Sequence, residues 1–201
     1  MCVNHYKDKQ VMFMKVFIAG PRALRTLDEK IIRQLISISA KEHEVIVGDA
    51  DGIDTAVQQF FADRQYENVI IYATEGKARN NVGRWKIKSV VPPSQAKGFR
   101  YYAAKDLEMA KDADFGFMIW NGKSKGTLNN ILNLIALGKK CKVYLSTVNE
   151  LYAVKSLDDI KCLVSLCEED TQMLFQKLLK ENEQIKIFLR EDYRQLAINI
   201  I

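Results

Sequence analysis

The stretch that most limits what this chain can fold into is residues 114–145, where two short apolar runs flank a segment of helical period. Phe115 to Trp120 has the length and composition of a buried strand. It breaks at Asn121-Gly122 into a small basic loop. From Gly126-Thr127 onward, Leu128, Ile131, Leu132, Ile135 and Leu137 follow at helical spacing, and Gly138 is placed to stop the helix. A second short strand is expected over Val143–Leu145. The loop then lies at the carboxyl end of a strand and the amino end of a helix. Backbone N–H groups point outward there and the helix dipole favours an anion, so phosphate is the expected guest. Open α/β sheets bind ligands at that edge.

The rest of the chain repeats the theme. Lys15–Ala19 reads as a strand ending in Gly20-Pro21-Arg22, and Thr26 with Glu29 has the spacing of a capping box for a helix starting near Leu27. Glu44–Gly48 reads as a second strand. The loop Asp49–Asp54 follows it and leads into a helix with Ile53, Ala56, Val57, Phe60 and Phe61 on one stripe. Gly48 and Gly52 allow close backbone approach, and Asp49, Asp51 and Asp54 are candidates to cap that helix or to accept from ribose hydroxyls. Val69–Tyr72 is the third expected strand, and a short helix is expected over Lys105–Asp112. After Leu145 the pattern changes to an edge strand over 151–154, helices over 156–164 and 170–180, and an apolar tail to Ile201 that needs cover from its own domain or a second copy. The expected architecture is α/β: a Rossmann-like parallel sheet flanked by helices over 14–146, with a mostly helical appendage over 147–201.

Charge is unevenly placed. Residues 76–105 carry eight Lys or Arg and no Asp or Glu, although the whole chain has a formal charge of only +5. Pro92-Pro93 and three glycines argue against regular structure throughout that segment. Its basic bias suggests an anionic partner, whether nucleotide phosphates or a nucleic-acid backbone. Within it, Arg79 offers a guanidinium for phosphate, Asn80 and Asn81 offer amides, and Trp85 offers either a stacking surface or a cover for the sheet edge. The four cysteines show no metal-site spacing and read as reduced thiols of a cytoplasmic protein. No metal or cofactor is expected, and no apolar run approaches the length of a membrane span.

Four motifs in order resemble the SLOG superfamily, whose members include the Lonely Guy phosphoribohydrolases and DNA-processing protein A. They are Asp49-Ala-Asp-Gly-Ile-Asp54, Arg79-Asn80, Asp106-Leu-Glu-Met109 and Trp120-Asn-Gly-Lys-Ser-Lys-Gly-Thr127. The pattern is most similar to the small YspA/YpsA-type bacterial and phage members. The resemblance implies a pocket for nucleotides or nucleotide-derived molecules, with Gly126 and Thr127 holding a phosphate and Asp54 shaping the pocket. It also carries a departure: the hydrolytic Lonely Guy enzymes have a glutamate where this chain has Asn130, and an amide does not supply that carboxylate's chemistry.

The ligand-binding candidates are therefore Gly20, Pro21, Arg22, Gly48, Asp49, Gly52, Asp54, Arg79, Asn80, Trp120, Gly122, Lys123, Ser124, Gly126 and Thr127. The leading expectation is a binder of a nucleotide-like small molecule, acting as sensor or carrier. The alternatives are an enzyme acting at an N-glycosidic bond, with Asp49, Asp51, Asp54 and Asp106 as unranked candidate acids, and single-stranded nucleic-acid binding through 76–105. A homo-oligomer is allowed by the apolar tail.

Overall fold

A computed structural model describes residues 13–188 and 190. The chain forms one seven-stranded sheet in the order β4-β3-β2-β1-β5-β6-β7, where β1 is Lys15–Ala19, β2 Glu44–Val47, β3 Val69–Thr74, β4 Lys86–Val90, β5 Phe115–Trp120, β6 Lys140–Leu145 and β7 Glu150–Val154. Every neighbouring pair is parallel except β6 and β7. The helices are α1 (Glu29–Ala40), α2 (Ile53–Ala62), α3 (Phe99–Asp112), α4 (Lys125–Ala136), α5 (Leu157–Ser165) and α6 (Glu169–Glu181). The central strands are apolar on both faces, as a parallel sheet covered by helices on both sides requires. Phe17, Ile46 and Met118 pack in one core, and Val16, Ile18 and Val47 in the other.

The α/β architecture expected from the sequence is present, with three local differences. α1 begins at Glu29, two residues later than the Thr26–Glu29 pair suggests, because Asp28 is the N-cap and its carboxylate accepts from the Ile31 amide at 3.1 Å. The basic segment contains a strand, β4, whose Lys-Ile-Lys-Ser-Val sequence is mostly exposed and paired only to β3. Lysines on an edge strand keep it from pairing with another chain, so its composition hides it from a hydrophobicity reading. α3 starts at Phe99, two turns before Lys105. The leader and most of the apolar tail fall outside the described residues. Ile160, Phe175 and Leu178 of α5 and α6 lie in the same core as Trp120 and Leu128.

The strand order positions the site. From β1 the chain steps outward through β2, β3 and β4, then returns to place β5 on the other side of β1. The order reverses between β1 and β5, and the loops leaving their carboxyl ends diverge there to leave a crevice. Because β1, β2 and β5 are parallel, the Gly20, Gly48–Gly52 and Asn121–Gly126 turns all gather on one rim.

Candidate functional site

The first two turns are closed upon each other. Gly52 adopts φ +83°, and an added Cβ would come within 2.5 Å of the Arg22 backbone. The Ile53 amide donates to the Pro21 carbonyl at 3.3 Å, and a Cβ on Gly20 would meet Ile53 at 2.7 Å. A Cβ on Gly48 would collide with the Asp54 carboxylate and lie 2.8 Å from Lys105 Nζ. These glycines exist to let backbone and charged side chains approach, and the space beside them is taken by the protein itself.

Below the rim lies a buried charge cluster. Asp49 Oδ1 accepts from Arg79 Nη2 at 2.8 Å and from Lys105 Nζ at 2.9 Å, while Oδ2 accepts from the Arg79 backbone amide and Nε at 3.1 Å each. Burial opposes the charge on Asp49, but the Arg79 hydrogen bonds and the Lys105 ammonium outweigh it and hold the carboxyl well below the usual range. Asp54 has the opposite fate: burial pushes it up to about 7 against the pull of Lys105 and the Ala50 amide. Lys105 is itself buried, yet Asp106, Asp54 and Asp49 together keep it charged and raise its pKa. Asp106 is also raised, by burial first, with Lys105 and the Asn130 amide opposing. Its side chain is 24% exposed and lies 3.9 Å from Lys105, so it keeps more access than Asp49 or Asp54, the other two carboxylates around that ammonium. Asn130 Oδ1 is buried and has no donor among the described residues.

The third turn is partly open. Asn121 Oδ1 accepts from the Lys123 and Ser124 amides at 3.2 and 2.9 Å, and Ser124 caps α4 by accepting from the Thr127 amide at 3.4 Å. The Leu128 amide reaches the Ser124 carbonyl at 3.1 Å. Lys125 and Gly126 remain, with first-turn amides that have no intrahelical acceptor. Nothing lies within 4 Å of where a Cβ on Gly126 would stand. Above the crevice, the Tyr102 ring of α3 has the Arg22 and Arg79 guanidiniums at 5.5 Å from its centre.

Several of the expected ligand-binding residues already have partners within the chain. The Arg79 guanidinium is engaged by Asp49, and the Asn80 amide donates to the Asp49 carbonyl and to Asp51, so both knit the loops together. Trp120 is fully buried, and its indole N–H holds the Ser124 carbonyl at 3.2 Å. Thr127 is buried with its hydroxyl donated to Ser124 Oγ. Gly122 offers its carbonyl to Thr171 Oγ1 of α6, and Lys123 pairs with Glu168 at 2.9 Å on the surface. Trp85 is a structural cover, its indole N–H donating to the Tyr66 carbonyl at 2.9 Å. Gln58, Tyr102 and Lys105 also line this rim, and the sequence pattern does not point to them as site residues. Gln58 ties Gly48 O to the Val82 amide from within α2. For Lys105 a signal existed: it falls four residues before Met109, on the buried stripe of its helix.

No protein-family model matches the sequence, and no curated protein matches it. Among solved structures, the chain is similar to DNA processing protein A from Helicobacter pylori, described for its single-stranded DNA binding mode. The match has a TM-score of 0.52 at 14% identity, and covers 87% of this chain and 85% of that one. The fold is shared. At this identity the likeness extends to the fold alone. No helix among the described residues is long and apolar enough to cross a membrane.

Proposed function

We propose that the protein binds a nucleotide or nucleotide-derived anion at the switch point between β1 and β5, with the phosphate at the mouth of α4. The observation that carries this reading is Gly126: its surface is uncovered, and the Lys125 and Gly126 amides beside it have no intrahelical acceptor. The other glycine turns on the rim are filled by the chain's own atoms, which narrows the seat to this one. Arg22, exposed on the opposite lip, supplies a second positive group, and the Tyr102 ring a flat surface for a base. The fold match supports the class of ligand, since the Helicobacter pylori protein binds single-stranded DNA, a polymer of nucleotides.

A thermal-shift panel of nucleoside mono-, di- and triphosphates, cyclic nucleotides and nucleosides tests it, because a ligand of the native state alone raises the melting temperature by mass action. A phosphorylated member should raise it by several degrees, and Gly126→Glu should erase the shift while folding normally. If no nucleotide shifts the wild type, or if the Glu variant responds equally, the reading is wrong.

A second reading, cleavage at an N-glycosidic bond, is favoured by one observation. Asp106 retains partial access and a raised pKa, whereas Asp49 is consumed by ion pairs. Free base appearing with the wild type and not with Asp106→Asn would establish it; no base above the buffer control would remove it.

A further inference from the structure

A groove of about 1220 Å³ adjoins the α4 mouth at Lys125 and runs between the β4–α3 region and the C-terminal segment. It exceeds the roughly 300–1,000 Å³ of a site for one small ligand. One wall carries Lys88, Lys97, Arg100 and Lys111; across from it stand Lys125, Lys180 and Lys186. Against these seven cations the lining holds only three carboxylates, Glu108, Glu181 and Glu183. Four of the cations have a carboxylate partner: Lys88 with Asp112, Lys111 with Glu108, Lys125 with Glu181, and Lys186 with Glu183. Lys97, Arg100 and Lys180 have no carboxylate at ion-pair distance among the described residues, and Arg100 acts on Glu183 only from further off. The surplus is therefore concentrated in three side chains facing one channel, two on one wall and one on the other.

We infer that this groove takes a flexible phosphodiester strand, that is, single-stranded nucleic acid. Six of the seven cations are lysines, point charges that hold phosphate without demanding a fixed fork geometry, as a sequence-tolerant backbone contact requires. Between the charges the lining is mixed, with Val91, Pro92, Phe99 and Leu107 among the apolar residues and Asn129, Asn133 and Gln184 among the polar ones. Phe99 is 40% exposed with Lys125 Nζ 4.4 Å from its ring centre, and Val91 is 80% exposed next to Pro92. Such surfaces receive base faces, and an aromatic ring with a cation beside it is a stacking platform. A stiff duplex does not follow a concave channel of this size, whereas a single strand does. A second copy of this chain would bring cation against cation. The sequence shows only part of the groove: Lys111, Lys125, Lys180 and Lys186 come from outside the basic segment 76–105, and the packing of α4 on α3 and of α6 on α4 brings the C-terminal cations to it.

The test is fluorescence anisotropy of the full chain with fluorescein-labelled 20-mers of thymidine and of uridine. Both arms should bind, and the logarithm of affinity should fall with that of salt at about −0.7 per phosphate held, hence about −2 for three contacts. Lys97→Glu/Arg100→Glu and, separately, Lys180→Glu should each weaken binding at least tenfold. Lys41→Glu/Lys140→Glu, the same charge change away from the groove, should weaken it less than threefold, with all variants melting near the wild type. No binding of either oligomer, equal loss in the control variant, tighter binding of a 20-base-pair duplex, or full displacement by a mononucleotide would each overturn the assignment. The last outcome would move the strand to the α4 mouth and leave the nucleotide reading intact.

Discussion

At the scale of single residues, the charge cluster under the rim decides how the protein responds to mutation and to pH. Asp49 and Lys105 have side chains about 4% exposed, so removing Asp49 takes from the buried Lys105 its nearest counter-charge and leaves it only Asp54 and the more distant Asp106 at 3.9 Å. Asp49→Ala should therefore destabilise by about 3–5 kcal/mol, read as a lower denaturation midpoint in urea. A loss below 1 kcal/mol would mean that water reaches Lys105. Asp54 is raised to about 7 from 3.8. Between those values the native state binds the proton and the unfolded chain does not, so stability falls as pH rises, with a slope of at most about 1.4 kcal/mol per pH unit. His43, lowered by burial, acts in the opposite direction below its ordinary range. Comparing wild type with Asp54→Asn isolates the carboxyl: the variant should show a shallower decline between pH 4 and 7, the remainder coming from Asp106, whose pKa burial also raises. Parallel stability curves for the two would show that Asp54 does not titrate there. Some of this cluster was legible in the sequence, since three aspartates in six residues exceed what a helix cap requires. Their division into a permanent anion and a near-neutral acid was not, because it depends on Lys105 and Arg79 arriving from 56 and 30 residues away.

At the scale of elements, the loop at the α4 mouth is braced from the far side by the C-terminal helices. Thr171 of α6 donates to the Gly122 carbonyl, and Asn182 just after α6 donates at 2.8 Å to both Asn129 and Asn133 of α4 while accepting from the Ile185 amide at 3.0 Å. Asn182→Ala leaves two buried amide oxygens and one N–H without partners, a loss of about 2–4 kcal/mol. Amide hydrogen exchange should show the loss in residues 183–188 first; protection unchanged there would mean the hook is not what holds them. The strand–loop–helix unit that dominates the sequence is the one the fold is built around; its helix lies within about a residue of the expected bounds because the periodicity and Gly138 at φ +70° agree, while the strand after it begins at Lys140, ahead of the apolar Val143–Leu145. β4 was missed for the converse reason. An edge strand of alternating lysines has no apolar face to announce it.

At the scale of the whole molecule, a single rim collects the turns after β1, β2 and β5, and only one of them is left open to a guest. Residues of α5 and α6 share a core with β5 and α4, so heat should unfold the described chain in one transition. Two separated transitions in calorimetry would show that the C-terminal helices melt independently. An anion seated on the first turn of α4 would touch the Lys125 and Gly126 amides, and nitrogen–proton correlation spectra read those amides directly. Titrating the nucleotide that gives the largest thermal shift should move the Lys125 and Gly126 amide resonances most, saturating at the same concentration as the thermal effect. If those two stay in place while resonances elsewhere move, the ligand binds somewhere else and the seat on α4 is contradicted.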